Sequence, residues 1–380
     1  MSTSQVVLLL GRRDHPTDGV ADYCDKLHEY GAARGISFES VHVCWAEKGW
    51  RAALAELREK ASAWRDRWVL LQFTTLAWSR RGFPLRAPRV LDVLRQCGVR
   101  CGVVFHDLAP LAGKGIVGGS REYCQLHVLR KLYARSHLAV FTLPVDKISW
   151  LPLRRDQAIF IPVGANCSES VSAARPEHHD TMTVAVYGVT GGTQTLPEVA
   201  DIGFVLKKVG QSARPIRLIV FGRGSREAEP ILRSSLAGVN VEIETLGVVS
   251  PEQVTQTLVQ ADVLLFVRGQ ISTRRGSAIA GIACGLPIVC YSGPETYWPV
   301  TEGGILAVPL GDREALAGAL ENVLSDARLR SSLSAKSRSA QEKYFSWAAI
   351  TARFATAVDE AMANDDAEVS RRASGAVRVA

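Results

Sequence analysis

Several loops in this 380-residue sequence combine arginine, glycine and hydroxyl side chains in patterns suited to holding an anion. The densest is Arg268-Gly269, then Ser272-Thr273-Arg274-Arg275-Gly276-Ser277, leading into an Ala-rich apolar stretch. At Arg275-Gly276-Ser277, guanidinium forks, free backbone N–H groups and the positive end of a helix dipole would add together as a diphosphate cradle. Gly222-Arg223-Gly224-Ser225 repeats the theme, with two glycines letting a phosphate approach the backbone beside an arginine. Arg12-Arg13-Asp14-His15-Pro16-Thr17-Asp18-Gly19 also opens a helix, and Asp18-Gly19 marks where a substrate group can come close to its N-terminus. His106-Asp107 ends an apolar run. The imidazole can hydrogen-bond a substrate hydroxyl, and the carboxylate can orient it or act as a base. An ordinary loop at Gly19 and a turn-capping carboxylate at Asp107 stay open as plainer readings. The Arg12–Gly19 loop is not a G-x-G-x-x-G fingerprint, and the sequence holds no Walker A run and no Cys/His metal spacing. If a phosphorylated group departs here, arginine rather than Mg²⁺ neutralises it.

Charge is unevenly spread. Residues 1–165 hold 24 Lys and Arg against 15 Asp and Glu, a surplus of +9, while the remainder holds 21 against 23, or −2. The first half therefore calls for an anionic partner, or else carries a solvated basic surface. Within it, Trp78-Ser79-Arg80-Arg81-Gly82-Phe83-Pro84-Leu85-Arg86-Ala87-Pro88-Arg89 interleaves aromatics with arginines. This composition suits an anionic bilayer surface or lipid phosphate, a single-stranded nucleic acid, or a solvated loop. The eight cysteines are scattered with no CxxC pair, as expected for small buried residues in a reducing compartment without structural metal or disulfide. Met-Ser-Thr-Ser-Gln is not a secretory signal, and no apolar run spans a bilayer, so a cytoplasmic protein is expected.

The elements that must position these loops alternate strand and helix. Apolar runs at Gln5–Gly11, Ile36–Trp45, Trp68–Thr74, Arg100–Leu108, Leu138–Leu143 and Ala158–Val163 read as strands, with helices at about Val20–Ala33, Trp50–Asp66, Arg89–Cys97 and Ser120–Ser136. The polar segment Cys167–Thr181 reads as a linker, and its adjacent His178 and His179 point apart and make poor metal ligands. The alternation restarts with strands at Met182–Val189, Ile216–Gly222, Val241–Val249, Ala261–Arg268, Pro287–Tyr291 and Ile305–Val308. Helices fall at Val199–Val209, Glu227–Leu236, after the Ser250–Gln253 capping box, at Gly276–Cys284, and after Asp312. This is an α/β chain with two parallel sheets: domains at 1–166 and 182–345 around a 167–181 linker, a helix at 346–363 returning to the first domain, and a disordered tail at 364–380. In such sheets ligands bind beyond the carboxyl ends of the strands, where every loop named above lies.

Those residues carry a family resemblance over roughly 5–362. Ala283-Cys284-Gly285-Leu286-Pro287-Ile288-Val289, Gly303-Gly304-Ile305-Leu306-Ala307-Val308-Pro309 and the Gly247–Gln253 run with Ala261–Phe266 resemble the nucleotide-sugar domain of GT-B glycosyltransferases, specifically the large retaining family 4. Gly19, Phe105-His106-Asp107 and Ile161–Ala165 resemble that family's first domain. The family's Glu-x7-Glu positions are occupied here by Ser272 and Ala280, and the strand ending in Gly188-Val189-Thr190 lacks the family's basic pair. The resemblance implies two Rossmann-like domains facing a cleft. It implies transfer of a sugar from a nucleotide-diphosphate sugar, with retention and without a metal or other cofactor. Arg275, Arg268 and Arg223, with Arg274, Gly224, Gly276 and Ser277 around them, are then expected on the diphosphate. His106 and Asp107 fall on the sugar and acceptor side, with Asp18-Gly19 as the close approach. Glu295 is expected to replace the missing sugar-binding carboxylate. The acceptor implied is a lipid-linked or cell-envelope glycan, and no nucleic acid is expected as partner. A catalytically silent GT-B subunit and a GT-B nucleotide-sugar epimerase are the alternatives.

Overall fold

The computed structural model describes residues 4–14, 18–111, 115–153, 156–165, 181–190, 195–211 and 214–376. The chain divides into two compact units, Met1–Pro162 with Trp347–Ala380, and Val163–Ser346. The linker expected at Cys167–Thr181, with His178 and His179, lies outside the described residues except for Thr181.

The first unit runs β1 (Ser4–Leu10), α1 (Gly19–Gly31), β2 (Ile36–His42), α2 (Trp45–Lys48), α3 (Trp50–Ala61), β3 (Trp68–Phe73), α4 (Pro88–Gln96), β4 (Arg100–Phe105), α5 (Gly115–Arg135), β5 (Leu138–Phe141) and β6 (Ala158–Phe160). Its six strands form one parallel sheet in the order β2-β1-β3-β4-β5-β6. Every residue of β3, Trp-Val-Leu-Leu-Gln-Phe, is buried, as a strand covered by helices on both faces must be. Asp18 caps α1 by accepting the N–H groups of Val20 and Ala21. Pro88 takes the first turn of α4, where its missing N–H costs nothing.

The second unit runs β7 (Met182–Tyr187), α6 (Thr195–Val209), β8 (Ile216–Phe221), α7 (Ser225–Ser235), β9 (Val241–Gly247), α8 (Pro251–Gln260), β10 (Val263–Gln270), α9 (Gly276–Ala283), β11 (Ile288–Ser292), β12 (Ile305–Pro309), α10 (Arg313–Ser325) and α11 (Ala327–Ala340). The sheet order is β12-β11-β10-β7-β8-β9, again all parallel. The capping box expected at Ser250 forms, with Gln253 reaching back to the Ser250 N–H. Asp312 caps α10 through the Ala315 N–H.

The last element, α12 (Trp347–Ala376), belongs to the first unit. Trp347, Ile350, Phe354 and Val358 are buried along it at helical spacing. The Trp347 ring meets Tyr23 of α1 at 5.4 Å, and Phe354 meets Phe38 of β2 edge-on at 6.0 Å. The helix was expected to end near Met362, with a disordered 364–380 beyond it; instead it continues to Ala376. The composition of Asn364–Ala376 is polar but contains no proline, and small polar residues do not by themselves stop a helix.

α11 has no counterpart among the sequence expectations. Its sequence, ARLRSSLSAKSRSA, shows no apolar stripe because serines take part of the inward face. Ser334 Oγ donates to the Gly285 carbonyl, and Ser337 Oγ donates to the Leu286 carbonyl at 2.7 Å while accepting the Gly304 N–H at 3.0 Å. The Ala-Cys-Gly-Leu-Pro turn and the Gly-Gly-Ile-Leu strand start are thus stitched to one helix. Gly304 has to be glycine, since a Cβ there would lie 1.8 Å from the Leu333 carbonyl oxygen. Ser337→Ala strands the buried Gly304 N–H and the Leu286 carbonyl. A loss of about 1–3 kcal/mol is expected, read as a lowered thermal midpoint with the far-ultraviolet dichroism unchanged.

Candidate functional site

In the second unit the chain goes outward from β7 to β8 and β9, then returns to the other side of β7 as β10. The loops after β7 and β10 therefore diverge from neighbouring strands, the switch point where parallel α/β sheets bind ligands. Arg268, in the last residues of β10, sits there. Its Nη1 lies 3.2 Å from where a Cβ on Gly188 would be, and its Nε lies 3.5 Å from Thr190 Oγ1. Gly188 has a φ of +78°, so the backbone both turns and yields space to the guanidinium. The Thr190 N–H donates to the Glu198 carboxylate at 2.7 Å, which brings an acidic residue of α6 to this edge. Sequence reading did not single out Glu198, because nothing in its spacing marks it.

The β8 exit joins the same edge. The Gly188 N–H donates to the Phe221 carbonyl and the Val189 N–H to the Arg223 carbonyl, at 2.7 and 2.8 Å. Gly224 is left-handed, with φ +72°, and a Cβ on it would fall 2.3 Å from the Val189 carbonyl oxygen. Its glycine serves the packing of two loops. Arg223 is exposed beside it.

The β10–α9 loop carries the remaining charge. Arg274 and Glu295 form a bidentate pair, Nε to Oε2 at 2.9 Å and Nη2 to Oε1 at 2.8 Å. The Glu295 N–H is held by Gln270 Oε1 at 2.7 Å. Glu295, expected to bind the sugar, is thereby engaged with Arg274, and Arg274 is neutralised rather than free for phosphate. Arg275 differs. Its Nε is buried without a hydrogen-bond partner. Burial first, then the neighbouring Arg274 and Arg268, push its pKa down, against the opposing pull of Glu295 and Glu198. No side chain caps α9, so the N–H groups of Gly276 and Ser277 are open at the helix start beside this guanidinium. Desolvated cation, open N–H groups and helix dipole together favour a multiply charged anion. Ser272 and Ala280, at the positions of the family's two glutamates, are both buried in the core of the unit. Ser272 Oγ has no hydrogen-bond partner.

In the first unit, His106 and Asp107 follow β4. His106 Nε2 lies 2.9 Å from Gln72 Oε1, and the Gln72 amide nitrogen is turned to the Leu70 carbonyl. That orientation assigns the imidazole proton to Nε2 and leaves Nδ1 as acceptor for a hydroxyl. The ring stands edge-on to Tyr23 at 5.2 Å. Burial pushes its pKa down to about 4, with Asp18 pulling weakly the other way. Gln72 and Tyr23, both inside apolar runs, carried no functional signal in the sequence. Asp107 Oδ2 accepts the Thr75 N–H at 2.6 Å and ties the β3 exit to the β4 exit, rather than capping the turn that follows it. Asp18 is engaged in capping α1 and also accepts the Asp14 N–H at 3.1 Å. A Cβ on Gly19 would meet nothing within 4 Å among the described residues. Among the described residues no group of three His, Cys, Asp or Glu is placed to hold a metal ion.

Residues 188–326, the span holding all the second-unit arginines discussed, match the family model of glycosyl transferases group 1. No curated protein sequence matches the chain. Among solved structures, HepE from Anabaena, in complex with UDP and glucose, superposes with a TM-score of 0.65 at 12% identity, over 94% of this chain and 100% of that one. Sucrose-phosphate synthase from Thermosynechococcus elongatus gives 0.66 at 17% identity, over 95% and 100%. A "putative UDP-N-acetylglucosamine 2-epimerase" from Listeria monocytogenes gives 0.62 at 12% identity, over 96% and 98%. Both units are Rossmann-like, and the fold is GT-B.

The neutral His106 predicts a pH dependence. Its folded-state pKa of about 4 lies below the ordinary 6.5. The unfolded chain therefore binds the extra proton first, and stability is full above pH 6.5 and lost as pH falls towards 4. His106→Gln is expected to flatten that part of the stability profile, measured by denaturant unfolding at stepped pH.

Proposed function

With a group 1 glycosyl transferase domain at residues 188–326 of a GT-B chain, we propose that this protein transfers a sugar from a nucleotide-diphosphate sugar to an acceptor. The observation that carries the reading is the desolvated, incompletely paired Arg275 at the uncapped start of α9, with Arg268 beside it. As the sugar–phosphate bond breaks, negative charge grows on the diphosphate. Arg275, Arg268 and the Gly276 and Ser277 N–H groups would meet that charge preorganised, in the role a metal ion fills elsewhere. Arg223 borders the same edge and would contact the outer phosphate. Arg274 acts at one remove, holding Glu295 in place, and Glu295 reaches the sugar only through the face not used by Arg274. With retention, the leaving diphosphate itself takes the acceptor proton, so the protein's part is positioning and charge stabilisation.

His106, neutral with Nδ1 as acceptor, would hold a hydroxyl of the sugar or acceptor, with Asp107 keeping the two strand exits in register. The acceptor suited to the basic first unit is anionic, a lipid-linked or cell-envelope glycan met in the cytoplasm. Burial of Ser272 and Ala280 favours one second reading, a GT-B subunit that binds donor without turnover. An epimerase would use the same diphosphate site without acceptor.

The deciding experiment is a thermal-shift panel of UDP-, GDP-, ADP- and dTDP-sugars, followed by product analysis with the donor that binds. A new glycosidic product supports transfer; isomerised donor or no turnover moves the chain to one of the other two readings. By calorimetry, Arg275→Ala should weaken nucleoside-diphosphate binding about 10–100-fold, the worth of a hydrogen-bonded charge, with the melting profile of the free protein retained. Unchanged affinity removes the diphosphate site from α9. Glu295→Gln should raise KM for the donor less than Arg275→Ala does.

A further inference from the structure

Beside His106 lies a buried group that the proposed chemistry does not use. Tyr23, on α1, is 3% exposed, and its hydroxyl is buried with no hydrogen-bond partner. A polar group withdrawn from water and left unpaired costs stability, and folded proteins keep few of them without a reason. Burial first, then the neighbouring Cys24, pushes the phenol pKa well above its ordinary value, so the proton stays on and the group is a donor. The ring is held from two sides. It stands edge-on to the His106 ring at 5.2 Å and meets the buried Trp347 ring of α12 at 5.4 Å. Packing of that kind fixes the side chain in one rotamer.

His106 supplies the other half. Its Nε2–H is committed to Gln72 Oε1 at 2.9 Å, which leaves Nδ1 as an acceptor. Tyr23 does not fill that acceptor: the two rings touch, yet the phenol is bonded to nothing among the described residues. An unpaired donor and an unpaired acceptor are thus neighbours at the β4 exit, one helical turn on from Gly19 and on the same face of α1. His106 retains some exposure, so the pair is reached from outside the core. The pair selects by chemistry. An ammonium group can donate to Nδ1 but cannot accept from Tyr23. A fully ionised phosphate or carboxylate can accept from Tyr23 but has no proton for Nδ1, and it would lose its hydration here. An alcohol does both through one oxygen, and a pyranose presents several of them.

We infer that Tyr23 and His106 together receive one uncharged sugar hydroxyl, with Tyr23 donating to its oxygen and the hydroxyl donating to His106 Nδ1. This makes Tyr23 a specificity-determining residue. It deepens the proposed function and rests on that reading only for which sugar, the donor's or the acceptor's, supplies the hydroxyl; recognition itself requires no turnover.

Tyr23→Phe deletes the hydroxyl and keeps the ring. Because the hydroxyl is unpaired in the free protein, the thermal midpoint of Tyr23→Phe should equal or exceed that of the native chain. A lower midpoint means that the hydroxyl is bonded within the fold, and the inference fails. Binding is read in full-length, histidine-labelled protein by proton–nitrogen correlation spectra, with methyl glucoside, methyl galactoside and methyl mannoside as uncharged probes and inorganic phosphate as the charged one. The His106 Nδ1 signal, identified by its loss in His106→Gln, should move upfield with at least one glycoside and stay in place with phosphate. In Tyr23→Phe the affinity for that glycoside should fall about tenfold. A response to phosphate alone, no response to any probe, or equal glycoside affinity in Tyr23→Phe would overturn the inference. Calorimetry with UDP-glucose and UDP then locates the hydroxyl. If it is the donor's, Tyr23→Phe weakens UDP-glucose about tenfold and leaves UDP unchanged; if it is the acceptor's, both stay unchanged and the acceptor KM rises about tenfold. Weakened binding of UDP itself marks a general disturbance and also overturns it. Glycoside binding that depends on Tyr23 in a chain that transfers nothing discards the catalytic reading and keeps this one; transfer indifferent to Tyr23→Phe does the reverse.

Discussion

Like charges crowded at the carboxyl edge of a parallel sheet constrain everything else in the second unit. Arg268, Arg274 and Arg275 lie within electrostatic reach of one another, and Arg275 is largely removed from water. Two carboxylates answer them. Glu295 takes Arg274 in a fork, and Glu198 sits across the edge, partly engaged by the Thr190 N–H. Three cations against two anions, with one cation desolvated, is a poor arrangement for an empty protein and a good one for a protein holding a dianion. The local backbone agrees. A helix start without a side-chain cap leaves N–H groups for a ligand or water; α9 is so left, as α2, α3, α4 and α7 are, and the unpaired Arg275 Nε lies at its start.

The scaffold that holds this charge in place is built from close approaches. Gly224 and Gly304 each permit a contact that a Cβ would block, and Ser334 and Ser337 turn polar side chains into the buried face of a helix by pairing them with carbonyls of the Gly285-Leu286 turn. Two of the motifs that carry the family likeness, Ala283–Val289 and Gly303–Pro309, meet on α11 through these bonds. Here the likeness marks architecture. α9 precedes that turn, so the turn's anchoring fixes where Arg275 and the helix dipole point.

How far the sequence discloses this depends on what each residue type can signal. Parallel strands buried on both faces announce themselves as apolar runs, and the twelve strands among the described residues fall where those runs predict. Caps at Ser250 and Asp312 are equally plain, because a side-chain acceptor ahead of an apolar stripe has few other uses, whereas Asp18, read from the sequence as a substrate approach, caps α1. α11 is hidden because serine satisfies its own burial by hydrogen bonding, which hydrophobic periodicity does not register. The length of α12 is hidden because Asn364–Ala376 contains neither a stop signal nor an apolar stripe. At the site, Arg268 and Arg275 stand out as charged residues at strand and helix ends. Their partners do not. Glu198 lies in an ordinary helix start, Gln72 in a buried strand, and the Arg274–Glu295 fork joins residues 21 apart, so its geometry requires the fold. The same holds for the Trp78–Arg89 stretch, where tryptophan in a basic run looks like surface but Trp78 is spent on the core.

The replacement of two carboxylate positions by Ser272 and Ala280 has an electrostatic consequence. A glutamate at either would add a negative charge near Arg268 and Arg275, partly neutralising them before any ligand arrived and giving the sugar hydroxyls or ribose an acceptor. With neutral, buried residues there, the cationic surplus of the proposed site would fall on phosphate oxygens, and Glu295 stays paired with Arg274. Affinity in such a site is dominated by the diphosphate common to all nucleotide sugars, which Coulomb attraction favours without regard to the sugar attached. Discrimination must then come from elements that meet the sugar's hydroxyls one at a time. Within the first unit, His106 is kept neutral by burial and held in one tautomer by Gln72, so it offers a single acceptor in a fixed direction without adding charge.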